Sequence, residues 1–142
     1  MHELLLLRHA EAEPAALDGS DFQRPLTAGG RDAALAAAAR LIALPWQPQR
    51  LLYSPAVRTA ATAALLAQAF RLDPHVLQAV PELYLATPQA LHAALRVWHG
   101  NASRVMVVGH NPGLSDWGAQ LDARFAGQSL PTAGHWLISR HG

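Results

Sequence analysis

Two arginines and two histidines stand where apolar runs break into polar residues: Leu7-Arg8-His9, Tyr53-Ser54-Pro55-Ala56-Val57-Arg58 and Val108-Gly109-His110-Asn111. Gathered in one place, these residue types suit a dianionic phosphoryl group. Guanidinium forks pair bidentately with phosphate oxygens, and helix N-termini add oriented N–H donors. At about 4 Å and an effective dielectric near 20, each unit-charge contact contributes on the order of 4 kcal/mol before desolvation. Two arginines and a protonated histidine would then supply the charge stabilisation that Mg²⁺ gives elsewhere. The same cations disfavour an imidazolium neighbour and lower its pKa.

The elements that must position these groups follow from hydrophobic patterning. Leu4-Leu5-Leu6-Leu7 does not alternate as a half-exposed strand would, and reads as a short strand buried on both faces. Glu11 to Leu26, with Pro14, Asp18-Gly19-Ser20-Asp21 and Pro25, reads as a loop of roughly fifteen residues, a length often functional. Thr27 caps a helix to about Ala43, which the Pro45-Trp46-Gln47-Pro48 segment stops. Arg50 to Tyr53 is a second buried strand; Ser54-Pro55 caps and starts a helix over Ala56 to about Phe70, with Arg58 in its first turn.

A third strand spans His75 to Ala79, Pro81-Glu82-Leu83-Tyr84 is a loop, and Thr87-Pro88 opens a helix to about Trp98. Arg104 to Val108 is a clear β-branched strand, followed by an Asn111-capped helix starting at Pro112 and running to about Leu121. A fifth strand, His135 to Ser139, follows the Pro131-Thr132-Ala133-Gly134 turn. Strands alternating with helices predict an α/β fold with a mostly parallel sheet, whose carboxyl edge collects all three polar junctions.

Composition sets the limits. At 142 residues, 51% hydrophobic and 15% charged, the chain is a globular unit, expected as a single domain over 1–142 with no cap domain. Eleven basic residues, all arginine, balance ten acidic ones, so no global field marks a nucleic-acid or membrane binder. Cysteine is absent, which excludes disulfides and thiolate chemistry and is compatible with the cytoplasm. The leading leucines are too few for a signal peptide or a span.

On these grounds His9 is assigned as nucleophile, attacking phosphorus in line to give a phosphohistidine that water hydrolyses. Arg8, Arg58 and His110 are assigned to the equatorial oxygens. Arg8-His9-Ala10 resembles the Arg-His-Gly signature of the histidine phosphatase superfamily, the phosphoglycerate mutase-like fold. Arg24-Pro25-Leu26-Thr27-Ala28-Gly29-Gly30, Ser54-Pro55-Ala56-Val57-Arg58-Thr59-Ala60-Ala61-Thr62-Ala63, Gly109-His110-Asn111-Pro112 and Pro131-Thr132-Ala133-Gly134 resemble its further blocks in order. The likeness covers nearly the whole chain and is strongest to the short bacterial phosphohistidine phosphatases of the SixA type.

The resemblance implies a three-layer α/β/α sandwich with one antiparallel strand in the sheet. It implies metal-independent hydrolysis of phosphohistidine on a protein, with no cofactor, and a carboxylate acid between the second arginine and the second histidine. Glu82 is the positional match; Asp18, Asp21 and Glu11 are alternatives from the first long loop. Arg24 and Asn111 are candidate phosphate ligands, Asn111 also a helix cap that orients His110, and Thr132 is either turn chemistry or site lining. A phosphoramidate needs less help from an acid, because the departing nitrogen can take a proton from solvent.

His92 and His99 share a helix face without a third ligand at metal-site spacing. His2, His75, His135 and His141 read as structural or exposed, and Trp46, Trp98, Trp117 and Trp136 as packing. The 50 residues between Arg58 and Gly109 are used up by secondary structure, leaving no lid. An open site admits a phosphoryl group standing on another protein, of the histidine-phosphotransfer type; phosphate or sulfate could also occupy it. A monomer is favoured. The alternatives are a small-molecule phosphomonoesterase and a non-catalytic module that binds a phosphorylated partner; mutase activity is disfavoured, since nothing encloses the phosphoenzyme against water.

Overall fold

Four leucines in the first strand, Glu3–Arg8 (β1), are fully buried and face two separate cores. Leu4 and Leu6 pack with Leu91, Leu95, Leu114 and Trp117, whereas Leu5 and Leu7 pack with Ala38, Leu41, Ala63 and Leu66. That division explains the unbroken apolar run: a strand covered on both faces has no polar side. Burying each leucine contributes on the order of 1.5–3 kcal/mol, so a charge at Leu6 would break the fold.

The computed structural model describes residues 3–14 and 19–139. The remaining strands are β2 (Arg50–Tyr53), β3 (Leu77–Ala79), β4 (Arg104–Gly109) and β5 (His135–Ser139). The helices are α1 (Ala28–Ile42), α2 (Val57–Phe70), α3 (Pro88–Trp98) and α4 (Gly113–Leu121). The sheet order is β3-β2-β4-β1-β5, parallel except for β5, which pairs antiparallel with β1. Helices α1 and α2 cover one face, α3 and α4 the other, giving three layers. Trp46, Trp117 and Trp136 are buried in these cores and Trp98 packs against one of them. No described helix is long and apolar enough to cross a membrane.

Local chemistry fixes the ends. Thr27 Oγ1 accepts from Gly30 N at 2.8 Å and Thr87 Oγ1 from Ala90 N at 3.2 Å, so both threonine caps form as expected. At Gly30 any Cβ would lie 2.0 Å from the Glu11 carbonyl oxygen, so α1 starts against the backbone leaving β1 only because this residue has no side chain. A bridge between Ala12 and Leu26 closes the base of the first long loop.

Several boundaries differ from the sequence reading: β4 runs on to Gly109, and Pro81–Leu83, read as loop, forms a 3₁₀ turn. The third strand begins at Leu77 rather than His75, because Asp73 caps a 3₁₀ turn over Pro74–Val76. Helix α2 begins at Val57 without a side-chain cap, so Ser54 is not its N-cap. Helix α4 begins at Gly113 rather than Pro112, although Asn111 Oδ1 still accepts from Ser115 N at 3.1 Å.

Candidate active site

Register in the sheet puts the first and third junctions side by side. Arg8 pairs with Gly109 across β1 and β4, and His9 N donates to Gly109 O at 3.2 Å. His9 and His110 therefore leave adjacent parallel strands at the same edge, with ring centroids 5.5 Å apart. On the other side of β4, Ser54 N donates to Val108 O at 3.2 Å, and in the first turn of α2 Arg58 is buried at 2% exposure. The turn before β5 buttresses the end of β1: Ala133 N donates to the carbonyls of Arg8 and His9, and Arg8 N to Gly134 O at 3.1 Å. Arg8, His9, Arg58 and His110 thus ring one hollow.

Hydrogen bonds assign the imidazole tautomers. His9 Nδ1 lies 2.6 Å from the Ala10 carbonyl, which can only accept, so Nδ1 carries the proton and Nε2 the lone pair. His110 is the reverse: Arg58 Nη2 donates to its Nδ1 at 3.2 Å, leaving Nε2–H to donate to Ser54 Oγ at 2.8 Å. This contact is what occupies the Ser54 hydroxyl in place of a helix cap.

Burial pushes His9 down to about 4, with the charges of Arg58, Arg8 and Arg24 adding to it and the Ala10 hydrogen bond opposing it. Burial, then Arg58 and His9, push His110 down to about 3, against the charge of Asp21. Both rings are neutral at pH 7. Two parts of the sequence reading are corrected here. Desolvation outweighs the arginines as the cause, and His110 is not the protonated cation expected, because a ring receiving an Arg58 N–H has no proton at that nitrogen.

The guanidinium groups are only partly satisfied. Arg8 Nη1 donates to Leu130 O at 3.2 Å, and Arg58 Nη1 and Nη2 donate to the carbonyl and carboxylate of Asp21 at 2.8 and 3.0 Å. The Nε–H groups of both arginines are buried with no partner among the described residues. A buried unpaired donor costs about 1–3 kcal/mol. Burial alone lowers the Arg8 pKa, a shift that an anionic neighbour would reverse.

The remaining candidates scatter around this floor. Asp21 sits on Arg58, pairs with Arg24 Nη1 at 2.9 Å and accepts from the Tyr84 hydroxyl. These contacts, Tyr84 first, hold its carboxyl well below the usual carboxylate range, so it stays ionised and is no proton donor near neutrality. Arg24 also donates to Glu13 O at 2.6 Å, so it is fixed at the rim. Glu11 turns away to Thr27 Oγ1 at 2.9 Å, and Asp18 lies outside the described residues, as do His2 and His141.

Glu82 is exposed and borders a shallow groove with Ala90, Ala94, Val97 and Trp98; no hydrogen bond or ion pair among the described residues joins it to the hollow. Asn111 Nδ2 donates to Leu130 O at 2.8 Å, and its Oδ1 accepts from Ser115, so it braces the chain beneath His110. Thr132 is exposed in its turn. His75 pairs with Asp73 on the surface, His92 packs edge-on against Trp117, and His99 caps α3.

Sequence reasoning missed Tyr84 and the carbonyl of Leu130. Tyr84 stands edge-on to His110 at 5.4 Å and to Phe22 at 5.1 Å. The signal available was weak: an aromatic residue ending the Pro81-Glu82-Leu83-Tyr84 loop. Leu130 acts through its backbone, which no side-chain pattern reports.

Comparison with known proteins gives the family and the fold. The family model of the histidine phosphatase superfamily (branch 1) matches residues 4–96. No curated protein sequence matches the chain. Among solved structures, a candidate phosphohistidine phosphatase SixA from Agrobacterium tumefaciens is 26% identical with a TM-score of 0.87, covering 98% of this chain and 92% of that one. A second SixA candidate, from Nakamurella multipartitia, is 28% identical with a TM-score of 0.79, covering 99% and 86%. A candidate alpha-ribazole-5'-P phosphatase from Escherichia coli shares the fold at 20% identity and a TM-score of 0.73, covering 99% and 91%.

Proposed function

The chain belongs to branch 1 of the histidine phosphatase superfamily, and from that membership we propose that it is a metal-independent phosphatase acting on phosphohistidine carried by another protein. The observation that carries the reading is the state of His9. Its ring is neutral, its Nδ1 proton is engaged by Ala10, and its Nε2 lone pair stands among guanidinium groups.

In the proposed reaction Nε2 of His9 attacks phosphorus, the P–N bond to the substrate imidazole breaks, and the departing nitrogen takes a proton from solvent. Water then attacks the phosphohistidine, releasing inorganic phosphate and restoring His9. Arg8 and Arg58 bind the equatorial oxygens. His110 joins them once the dianion has drawn Arg58 Nη2 off its Nδ1 and raised its pKa, so that Nδ1 takes up a proton. Arg24 adds positive charge from the rim, Asn111 supports His110 from below, and Glu82 is a donor only for leaving groups poorer than imidazole.

A protein substrate is supported by the short run of chain between Arg58 and Gly109. Residues 59–108 are taken up by α2, β3, α3 and β4 and their connections, so we treat residues 1–142 as one unit without a roof over the site. The two SixA candidates, at 26% and 28% identity, support the same substrate class. The test is phosphate release from a phosphorylated histidine-phosphotransfer protein, with and without chelator. Release well above that of His9→Ala and insensitive to chelator is expected. Release no faster than His9→Ala rejects the proposal, and a low KM on one small ester with none on the protein redirects it to a metabolite.

A further inference from the structure

Asp21 lies over Arg58 at the edge of the site. The Arg58 side chain is 3% exposed, and the Asp21 carboxylate lying on it is 42% exposed, so the acid stands between that arginine and solvent. It is held from three sides. Tyr84 donates its hydroxyl to Oδ2, Arg24 Nη1 meets Oδ1, and Arg58 takes both the carboxylate and the backbone carbonyl. Tyr84 is itself fixed edge-on between His110 and Phe22. Arg24, the nearest cation at the rim, is already paired with this carboxylate. An incoming second anion therefore meets a carboxylate that offsets the charge of the two arginines beside it, and Arg24 at the rim is already engaged.

We propose that Asp21, fixed by Tyr84 at the mouth of the hollow, is a specificity-determining carboxylate: it favours phosphoryl donors with a neutral or cationic leaving group, such as an imidazole, over esters that carry a second anion. The inference rests on the phosphatase reading above and names what that site selects. Opposite charges at the mouth attract and like charges repel with an energy that salt screens. The phosphoryl oxygens remain with Arg8 and Arg58; Asp21 acts on the rest of the substrate.

The experiment compares kcat/KM for N-phosphorylated imidazole with that for a phosphate ester of a hydroxycarboxylic acid, in the wild type, Asp21→Asn, Asp21→Glu and Tyr84→Phe. The wild type should prefer the imidazole. Asp21→Asn should cut that preference about tenfold, chiefly by lowering KM for the carboxylate ester, and high salt should shrink the gap between the two proteins. Asp21→Glu should restore much of the preference, and Tyr84→Phe should erode it less than Asp21→Asn, because the charge remains while its tether is lost. If Asp21→Asn slows both substrates by one factor, Asp21 is merely structural and the proposal is overturned. If the wild type hydrolyses neither substrate, the phosphatase reading falls and this inference with it; turnover of both with an unchanged ratio overturns this inference alone.

Discussion

The floor and the rim of the hollow hold their charges by different means. On the floor, Arg8, His9, Arg58 and His110 leave neighbouring strand ends or the first turn of α2, and backbone groups of distant elements clamp them. At the rim, Asp21, Arg24 and Tyr84 stand on loops and are held largely by one another. The floor is buried, so its histidines are forced neutral; the rim is partly exposed, and its carboxylate is held ionised. The floor groups are fixed by sheet register and the rim groups by side chains, and under the proposed function that difference separates chemistry from selection.

The sharpest way to break this division is to remove its centre. His9→Ala should lower phosphatase turnover by at least about a thousandfold, and an acid-labile phosphoenzyme should be trapped in the wild type but not in this variant. A variant that keeps a tenth of the activity would place the nucleophile elsewhere. Arg58→Ala comes next, at about 10²–10³ in kcat/KM, since it removes a phosphate donor, the Nδ1 partner of His110 and the seat of Asp21 together. A loss under tenfold would move Arg58 from floor to rim.

The third test reads the floor through stability. An unfolded histidine titrates near 6.5, whereas His9 and His110 titrate at about 4 and 3 in the folded chain. Between those values the unfolded chain binds more protons, so stability falls as the pH drops from 6.5 towards 4. Each unit of depression corresponds to about 1.4 kcal/mol. His110→Asn should therefore lose less stability than the wild type in urea melts at pH 7 and pH 4.5. Equal losses would mean that the ring is not held neutral by burial.

Rim variants should have smaller effects. Arg24→Ala should reduce kcat/KM by about tenfold or less, as expected of a partly exposed charge. Glu82→Gln should change phosphoramidate hydrolysis by less than about twofold, because the leaving nitrogen draws its proton from water. A loss approaching that of Arg58→Ala would bring Glu82 onto the floor despite its exposed place beside α3.

The floor was legible in the sequence and the rim was not, for a physical reason. A strand buried on both faces must be a short apolar run, and a polar residue ending it must lie at the sheet edge; Leu7-Arg8-His9 and Val108-Gly109-His110 obey that constraint whatever the rest of the chain does. The Thr27 and Thr87 caps obey an equally local one. Ser54 shows its limit, because whether a hydroxyl caps a helix or receives His110 Nε2–H depends on a strand more than fifty residues away.

The order of residues by itself determined the α/β alternation, the three polar junctions and the chemistry those groups can perform, since each rests on a local pattern. Only the tertiary structure decided the protonation of the two imidazoles and the partner of Asp21. Burial and the meeting of residues 21, 58, 84 and 110 arise from long-range packing, and neither desolvation nor a tether such as Tyr84 leaves a periodic mark in the chain.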